Sequence, residues 1–193
     1  MVLLRHGRTA WNAEKRFLGR ADVPLDDVGH GQVAKVAPGL VGRFDAVFSS
    51  PLQRALQTAA PVEPDPVVLD GLTELDLGEL DGTIAMNAMN THPEFLAKWG
   101  FDPTDVEAPG GGESMGAVQA RALRALHAMA EAHPGGRVLG VTHQMVVAAL
   151  SCHAVGEPLR RWRKYMIGNA EMSAFGVWPG RVELLAKGLT ALA

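Results

Sequence analysis

The chain has 193 residues, a formal net charge of −3, and 47% hydrophobic against 20% charged residues. That balance excludes a disordered or collagen-like chain and lacks the basic excess that a nucleic-acid surface needs; one cysteine, Cys152, excludes an internal disulfide and a Cys-rich zinc site. No apolar run is long enough for a transmembrane helix, and Met1-Val2-Leu3-Leu4 meets Arg5-His6 with no basic lead or cleavage site, so a cytoplasmic protein with no membrane partner is expected.

In chain order, Val2 to Leu4 reads as a strand buried on both faces that stops at Arg5-His6-Gly7. Asp26 to Ala37 is a helix weakened by Gly29 and Gly31 and halted or kinked by Pro38. Phe44 to Phe48 is a second strand. Ser49-Ser50-Pro51 then supplies a cap and a first-turn proline for a helix that carries Arg54 and ends before Pro61. After the turn-rich Pro61 to Pro66, Val67 to Leu69 is a third strand. Residues 83–112, with Met86, Met89, Phe95 and Trp99 among Asn, Thr and Pro, read as an irregular, partly helical insertion. Ser114 to His133 is the clearest helix, with Met115, Val118, Ala122, Leu126 and Met129 on one face. Arg137 to Thr142 is a strand ending at His143, residues 145–155 are helix, and Met172 to Val177 pairs with Val182 to Ala186 across a turn at Pro179-Gly180. Alternating strands and helices predict an α/β fold, a three-layer α/β/α sandwich around a mostly parallel sheet with at least one antiparallel strand. Residues 1–193 read as one domain.

In such a sheet, ligands bind beyond the carboxyl ends of the strands. Three junctions meet there: Arg5-His6-Gly7-Arg8-Thr9, Ser49-Ser50-Pro51 with Arg54 one turn on, and Thr142-His143-Gln144. Each opens a helix whose first N–H groups favour an anion, and arginine matches a pair of phosphate oxygens, so the pattern asks for a phosphoryl group. A histidine beside arginines is disfavoured as a cation and so offers a neutral nucleophile able to carry a phosphoryl group. The leaving oxygen needs a proton donor, and the block from Leu72 to Asp81 holds several carboxylates, Glu74, Glu79 and Asp81 among them.

The Arg5-His6-Gly7 run with Arg8 to Asn12 resembles the signature of the histidine phosphatase superfamily, the phosphoglycerate-mutase-like proteins. The resemblance continues in order through Arg16 to Gly19, Pro24-Leu25, Gly29 and Gln32, Ser49 to Ala59, Leu72 to Gly82, Pro109 to Ser114 and Val138 to His143. It implies a metal-independent phosphomonoester hydrolase, without cofactor, acting on a small phosphorylated metabolite. His6 would accept the phosphoryl group, Arg5, Arg54 and His143 would complete the phosphate pocket, and Glu74 would donate the proton and then activate water. Asn12 and the backbone from Gly7 to Thr9 would orient the phosphate, and Glu113 would lie near the rim. Residues 83–112 would form a substrate lid. Two positions depart from the family pattern: Gln144 stands where glycine is common, which bears on pocket width, and Arg8 stands where Glu or Gln is frequent and would add charge at the mouth.

A mutase that returns the phosphoryl group to a sugar-acid hydroxyl, and a non-catalytic phosphate-ligand binding protein, are the alternatives. Gly29-His30-Gly31-Gln32-Val33-Ala34 fits a dinucleotide pattern but follows no strand, no Gly-Lys pair marks a P-loop, and the position six after Cys152 is Pro158, not arginine. His30, His92, His127, His133 and His153 show no metal-ligand spacing, and Asn169 reads as a turn residue. Apolar residues near the final hairpin serve either the core or a homodimer.

Overall fold

Val2, Leu3 and Leu4 are all buried, as an apolar run without alternation requires of a strand covered on both faces. A computed structural model, which describes residues 1–192, places this strand, β1 (Val2–Arg5), inside a six-stranded sheet. The other strands are β2 (Ala46–Ser49), β3 (Val67–Val68), β4 (Val138–Thr142), β5 (Met172–Trp178) and β6 (Arg181–Leu189), in the spatial order β3-β2-β4-β1-β5-β6. β1, β2, β3 and β4 run parallel, with Leu4 opposite Val141 and Phe48 opposite Gly140. β5 pairs antiparallel with β1 and with β6, so the final hairpin closes one edge. The predicted mostly parallel sheet with antiparallel members is the observed one.

Strand periodicity divides the core. Leu3 packs with Met115, Val118 and Leu126 and with Val146 and Val147 on one face. Val2 and Leu4 pack with Leu40, Ala55, Ala59 and Val141 on the other. Helices therefore cover both faces. They are α1 (Ala10–Ala13), α2 (Asp27–Val36), α3 (Gln53–Ala59), α4 (Ala85–Thr91), α5 (Pro93–Phe101), α6 (Met115–Ala132) and α7 (Gln144–Ala154). The stripe read on α6 is buried at all five of its positions, and Ser114 caps the helix by accepting from the Ala117 N–H.

Several expectations shift in detail. Asp26 caps α2, and the chain tightens into a 3-10 turn at Ala37–Gly39, where Pro38 stands. The third helix starts at Gln53, not at Pro51: Ser50 Oγ accepts from the Leu52 N–H in a turn ahead of it. Within 83–112 lie the two short helices α4 and α5, and α5 has no fully buried residue. The stem of this segment is tied to residues 15–17, because the Phe17 N–H donates to Thr83 O and the Ala85 N–H to Lys15 O. The α1 turn and a 3-10 helix at Leu159–Tyr165 have no counterpart in the sequence reading. Among the described residues no helix is long and apolar enough to cross a membrane.

Candidate active site

β1 ends at Arg5, and the His6 N–H still donates to Thr142 O of β4 at 3.0 Å, so His6 stands at the carboxyl edge between two parallel strands. Its side chain is 3% exposed. Its Nδ1 lies 2.7 Å from the Gly7 carbonyl, an acceptor only, so Nδ1 carries the hydrogen and Nε2 keeps a lone pair. Burial, with Arg54 and Arg5 nearby, holds the imidazole well below its ordinary pKa and therefore neutral; the Gly7 bond opposes this only in part. The loop around it is packed against α2. A Cβ on Gly29 would come within 2.0 Å of Arg8 O, which is why the glycine that weakens this helix is required there.

The other residues expected in the phosphate pocket stand around His6. The His143 ring lies 5.1 Å from the His6 ring, centre to centre. Its Nε2 is 2.7 Å from Ser50 Oγ, and its Nδ1 is buried without a partner. Burial, then Arg54, keeps this imidazole neutral too. Arg54 is fully buried, and its two terminal nitrogens donate to Ala21 O at 2.8 Å and Gly19 O at 2.7 Å. Asp81 accepts from the Gly19 N–H at 2.8 Å and the Ala21 N–H at 2.7 Å, so arginine and aspartate brace one loop between them. Burial lowers the Arg54 pKa to about 10, which leaves it cationic at neutral pH. Arg5 Nη1 donates to Ile167 O at 2.7 Å. Arg5 Nε and Arg54 Nε are buried donors with no partner, an arrangement that an incoming oxyanion would satisfy.

Of the carboxylates in the Leu72 to Asp81 block, Glu74 is the one buried on the cavity wall; Asp81 is engaged as above and the Glu79 side chain is 68% exposed. Glu74 accepts from the Leu75 N–H at 2.9 Å and from the Met145 N–H, in the first turn of α7, at 3.2 Å. Burial nevertheless raises its pKa, against those bonds and the two arginines. Arg121 holds the backbone beneath it, donating to Gly71 O, Thr73 O and Glu74 O at 3.1, 2.6 and 2.9 Å.

A cavity of about 310 Å³ opens over Arg5, His6 and Glu74, while Arg54 and His143 are absent from its wall. Arg5, His6, Asn12, Glu74 and Gln144 line its inner end, and Phe17, Leu77, Phe95, Trp99, Met145 and Trp162 form much of its wall. Gln144 Oε1 accepts from the Ile167 N–H at 3.3 Å, which fixes the orientation of the amide and leaves Nε2 as a buried donor without a partner. Ile167 thus holds Arg5 by its carbonyl and Gln144 by its N–H, through the two peptide groups that flank its Cα.

Other expected site residues stand elsewhere. Arg8 is not at the mouth: its Nε pairs with Asp26 at 2.9 Å and it is absent from the cavity wall. The backbone N–H groups expected to orient phosphate are already used, Gly7 by Thr58 Oγ1, Arg8 by Gln32 Oε1 and Thr9 by Asn12 Oδ1. Thr9 and Asn12 form a capping box on α1, and these bonds shape the loop around His6. Glu113 is off the cavity, paired with Arg121 at 2.9 Å and Arg20 at 3.2 Å. Asn169, read as a turn residue, donates to His6 O at 3.1 Å and Asn12 Oδ1 at 3.3 Å, contacts more than 150 residues apart that no local pattern announces. Arg16 and Arg163 also line the cavity. Among the described residues no group of three or more His, Cys, Asp or Glu is placed to hold a metal ion.

The model of the histidine phosphatase superfamily (branch 1) matches residues 1–190. The chain belongs to that superfamily. It is 36% identical over 157 residues to the metal-independent phosphoserine phosphatase of Arabidopsis thaliana, spanning 78% of this chain and 66% of that protein. To phosphoserine phosphatase 1 of Hydrogenobacter thermophilus it is 28% identical over 195 residues, 98% of this chain and 92% of the other. The solved structure of a mycobacterial glucosyl-3-phosphoglycerate phosphatase superposes with a TM-score of 0.86 at 28% identity, over 97% of each chain. The expected fold and the expected enzyme class, a histidine phosphatase, are both borne out.

Proposed function

We propose that the protein hydrolyses a small phosphomonoester through a covalent phosphohistidine on His6, with Glu74 as proton donor. The observation that carries this is the state of His6: neutral, with Nδ1 tied to Gly7 O, so that the lone pair is on Nε2. Nε2 attacks phosphorus and the bond from phosphorus to the ester oxygen breaks. The proton of the Glu74 carboxyl group passes to the departing oxygen, which leaves as the alcohol. Glu74, now a carboxylate, takes a proton from water while the water oxygen attacks phosphorus. The phosphorus–nitrogen bond breaks, and inorganic phosphate leaves with His6 neutral and Glu74 again protonated. Arg5, Arg54, His143 and the amide of Gln144 offer the buried donors that meet the charge on the phosphoryl oxygens. Burial of Glu74, which raises its pKa, suits the donor step.

Names of relatives support the hydrolase reading: two are phosphoserine phosphatases and one structural neighbour is a phosphatase of glucosyl-3-phosphoglycerate. Residues 83–112, with α4 and α5, fit the role of a lid because Phe95 and Trp99 face the cavity. The test is hydrolysis of p-nitrophenyl phosphate in excess EDTA by the wild type and by His6→Ala. Turnover that survives chelation and is lost in the variant, together with an acid-labile phosphoenzyme in the wild type, is the expected result. Persistence of activity in His6→Ala overturns the nucleophile assignment.

A further inference from the structure

The two ends of the cavity differ in chemistry. At the phosphate end stand Arg5, His6, Asn12, Glu74 and Gln144; beyond them the side chains that line it are apolar or cationic. An aromatic wall runs from α5 to the 3-10 helix at Leu159–Tyr165. The rings of Phe95 and Trp99 are 6.3 Å apart, those of Trp99 and Trp162 are 5.5 Å apart and near edge-on, and the Arg163 guanidinium lies 4.5 Å from the centre of the Trp162 ring. Leucines and Met145 complete it. The polar atoms of this half are donors: the indole N–H groups of Trp99 and Trp162, buried without partners, and the guanidinium groups of Arg16 and Arg163. Arg16 is engaged with Glu14 and Gly82 O.

What is missing from the wall limits the ligand. The ammonium of an amino-acid phosphate would find no carboxylate but Glu74, which the hydrolytic cycle uses as its acid, and would sit among arginines. A sugar would bring several hydroxyl hydrogens to a wall whose side chains offer no acceptor beyond the phosphate end, so its hydroxyl groups could accept there but not donate. An apolar ring, by contrast, would replace water against aromatic surface. The volume of about 310 Å³ is at the small end for ligand sites.

We infer that the leaving group of the substrate is an apolar, ring-bearing alcohol, so that the protein prefers arylalkyl phosphates to amino-acid and sugar phosphates. This rests on the hydrolase reading above, and it assigns specificity to a wall built from α5 and the 3-10 helix. In an arylalkyl phosphate the phosphoryl group meets His6 and the ring lies against Trp99 and Trp162.

The comparison must hold leaving-group basicity nearly constant, so the probes are 2-phenylethyl phosphate, O-phosphoserine, 3-phosphoglycerate and glucose 6-phosphate, all esters of alkyl alcohols. The expected result is kcat/KM for 2-phenylethyl phosphate at least ten-fold above each of the others, lost in His6→Ala. In Trp99→Ala the advantage shrinks mainly through KM, and Phe95→Ala serves as a second variant should Trp99→Ala fold poorly. His6-dependent turnover that favours O-phosphoserine, 3-phosphoglycerate or glucose 6-phosphate overturns the specificity inference and leaves the hydrolase reading intact. Absence of His6-dependent turnover on every ester, p-nitrophenyl phosphate included, overturns the hydrolase reading. Calorimetry with the non-hydrolysable 3-phenylpropylphosphonate and 2-amino-4-phosphonobutyrate then decides the specificity inference separately: tighter binding of the phenyl compound supports it, and equal or weaker binding overturns it.

Discussion

The phosphate end of the site and the wall over it are built on opposite terms. His6 and His143 follow directly on the central strands β1 and β4, and each is buried with a neighbour to fix its ring. The wall stands on α5, which has no buried residue, and on a 3-10 helix, so its shape depends on side chains packing against one another. A sheet edge holds a reacting atom because moving it would break strand pairing; a wall of side chains can change without disturbing the sheet. Chemistry and selectivity are thereby separable, and substitutions can show how cleanly.

The largest effect is expected at His6, the proposed nucleophile. His6→Ala should cost about 10⁴-fold or more in kcat while the fold, followed by circular dichroism, is retained. Glu74→Gln comes next, with a loss in kcat/KM of about 10² to 10⁴-fold on alkyl phosphates and a much smaller one on p-nitrophenyl phosphate, whose leaving group needs no proton, while kcat falls on both because the attacking water loses its base. The wild-type kcat/KM profile should fall on the acid side below the ordinary histidine range, where His6 is protonated, and on the alkaline side above the ordinary glutamate range, where Glu74 loses its proton. Glu74→Gln should remove the alkaline limb and leave the acid one.

Below these stands the backbone support. Arg121→Met removes three bonds to the carbonyl groups of Gly71, Thr73 and Glu74, and should cost about 2 to 3 kcal/mol in a denaturant titration while lowering kcat more than it raises KM. Proton linkage adds a smaller, graded effect. Unfolding lets His6 and His143 take up protons that burial denies them, so stability should fall as pH drops below about 6.5, by up to about 1.4 kcal/mol per pH unit for each. Glu74 works in the other direction: its raised pKa stabilises the fold at low pH, and that contribution is lost as pH rises through the folded value. Denaturant titrations of the wild type and His6→Asn at pH 7.5 and 5.5 should show a shallower slope in the variant. The smallest effect is expected on the outer surface of α4, where Met86 and Met89 are 72% and 63% exposed; replacing both by Lys should change stability by less than about 1 kcal/mol and leave kcat unchanged.

How far the sequence could be read follows the same division. Parallel strands covered on both faces are short apolar runs, so Val2 to Leu4 and Val138 to Val141 are legible as strands, and the residues just beyond them as site candidates. The α6 stripe was equally plain because one face of a long helix repeats. What escaped was set by contacts distant in the chain. Asn169 sits in an ordinary turn sequence, and only the fold brings it to the His6 carbonyl. Arg8 looked like charge at the mouth until Asp26, which caps α2, took it up. In the basic run around Trp162, Leu159, Trp162 and Tyr165 recur every third residue and are the ones the 3-10 helix buries, a signal open to reading, but the place of Trp162 opposite Trp99 is set only by the fold.

The backbone of Ile167, which meets the site on both sides of its Cα, has a consequence for observing the enzyme at work. Its nitrogen and its carbonyl carbon report on opposite partners, Gln144 and Arg5. A chain labelled with nitrogen-15 at residue 167 and carbon-13 at its carbonyl would register both the amide and the guanidinium through neighbouring nuclei. As phosphate or vanadate is titrated in, simultaneous movement of the two resonances would show that the Arg5 guanidinium and the Gln144 amide engage the anion as one unit, and staggered movement would give the order in which they engage.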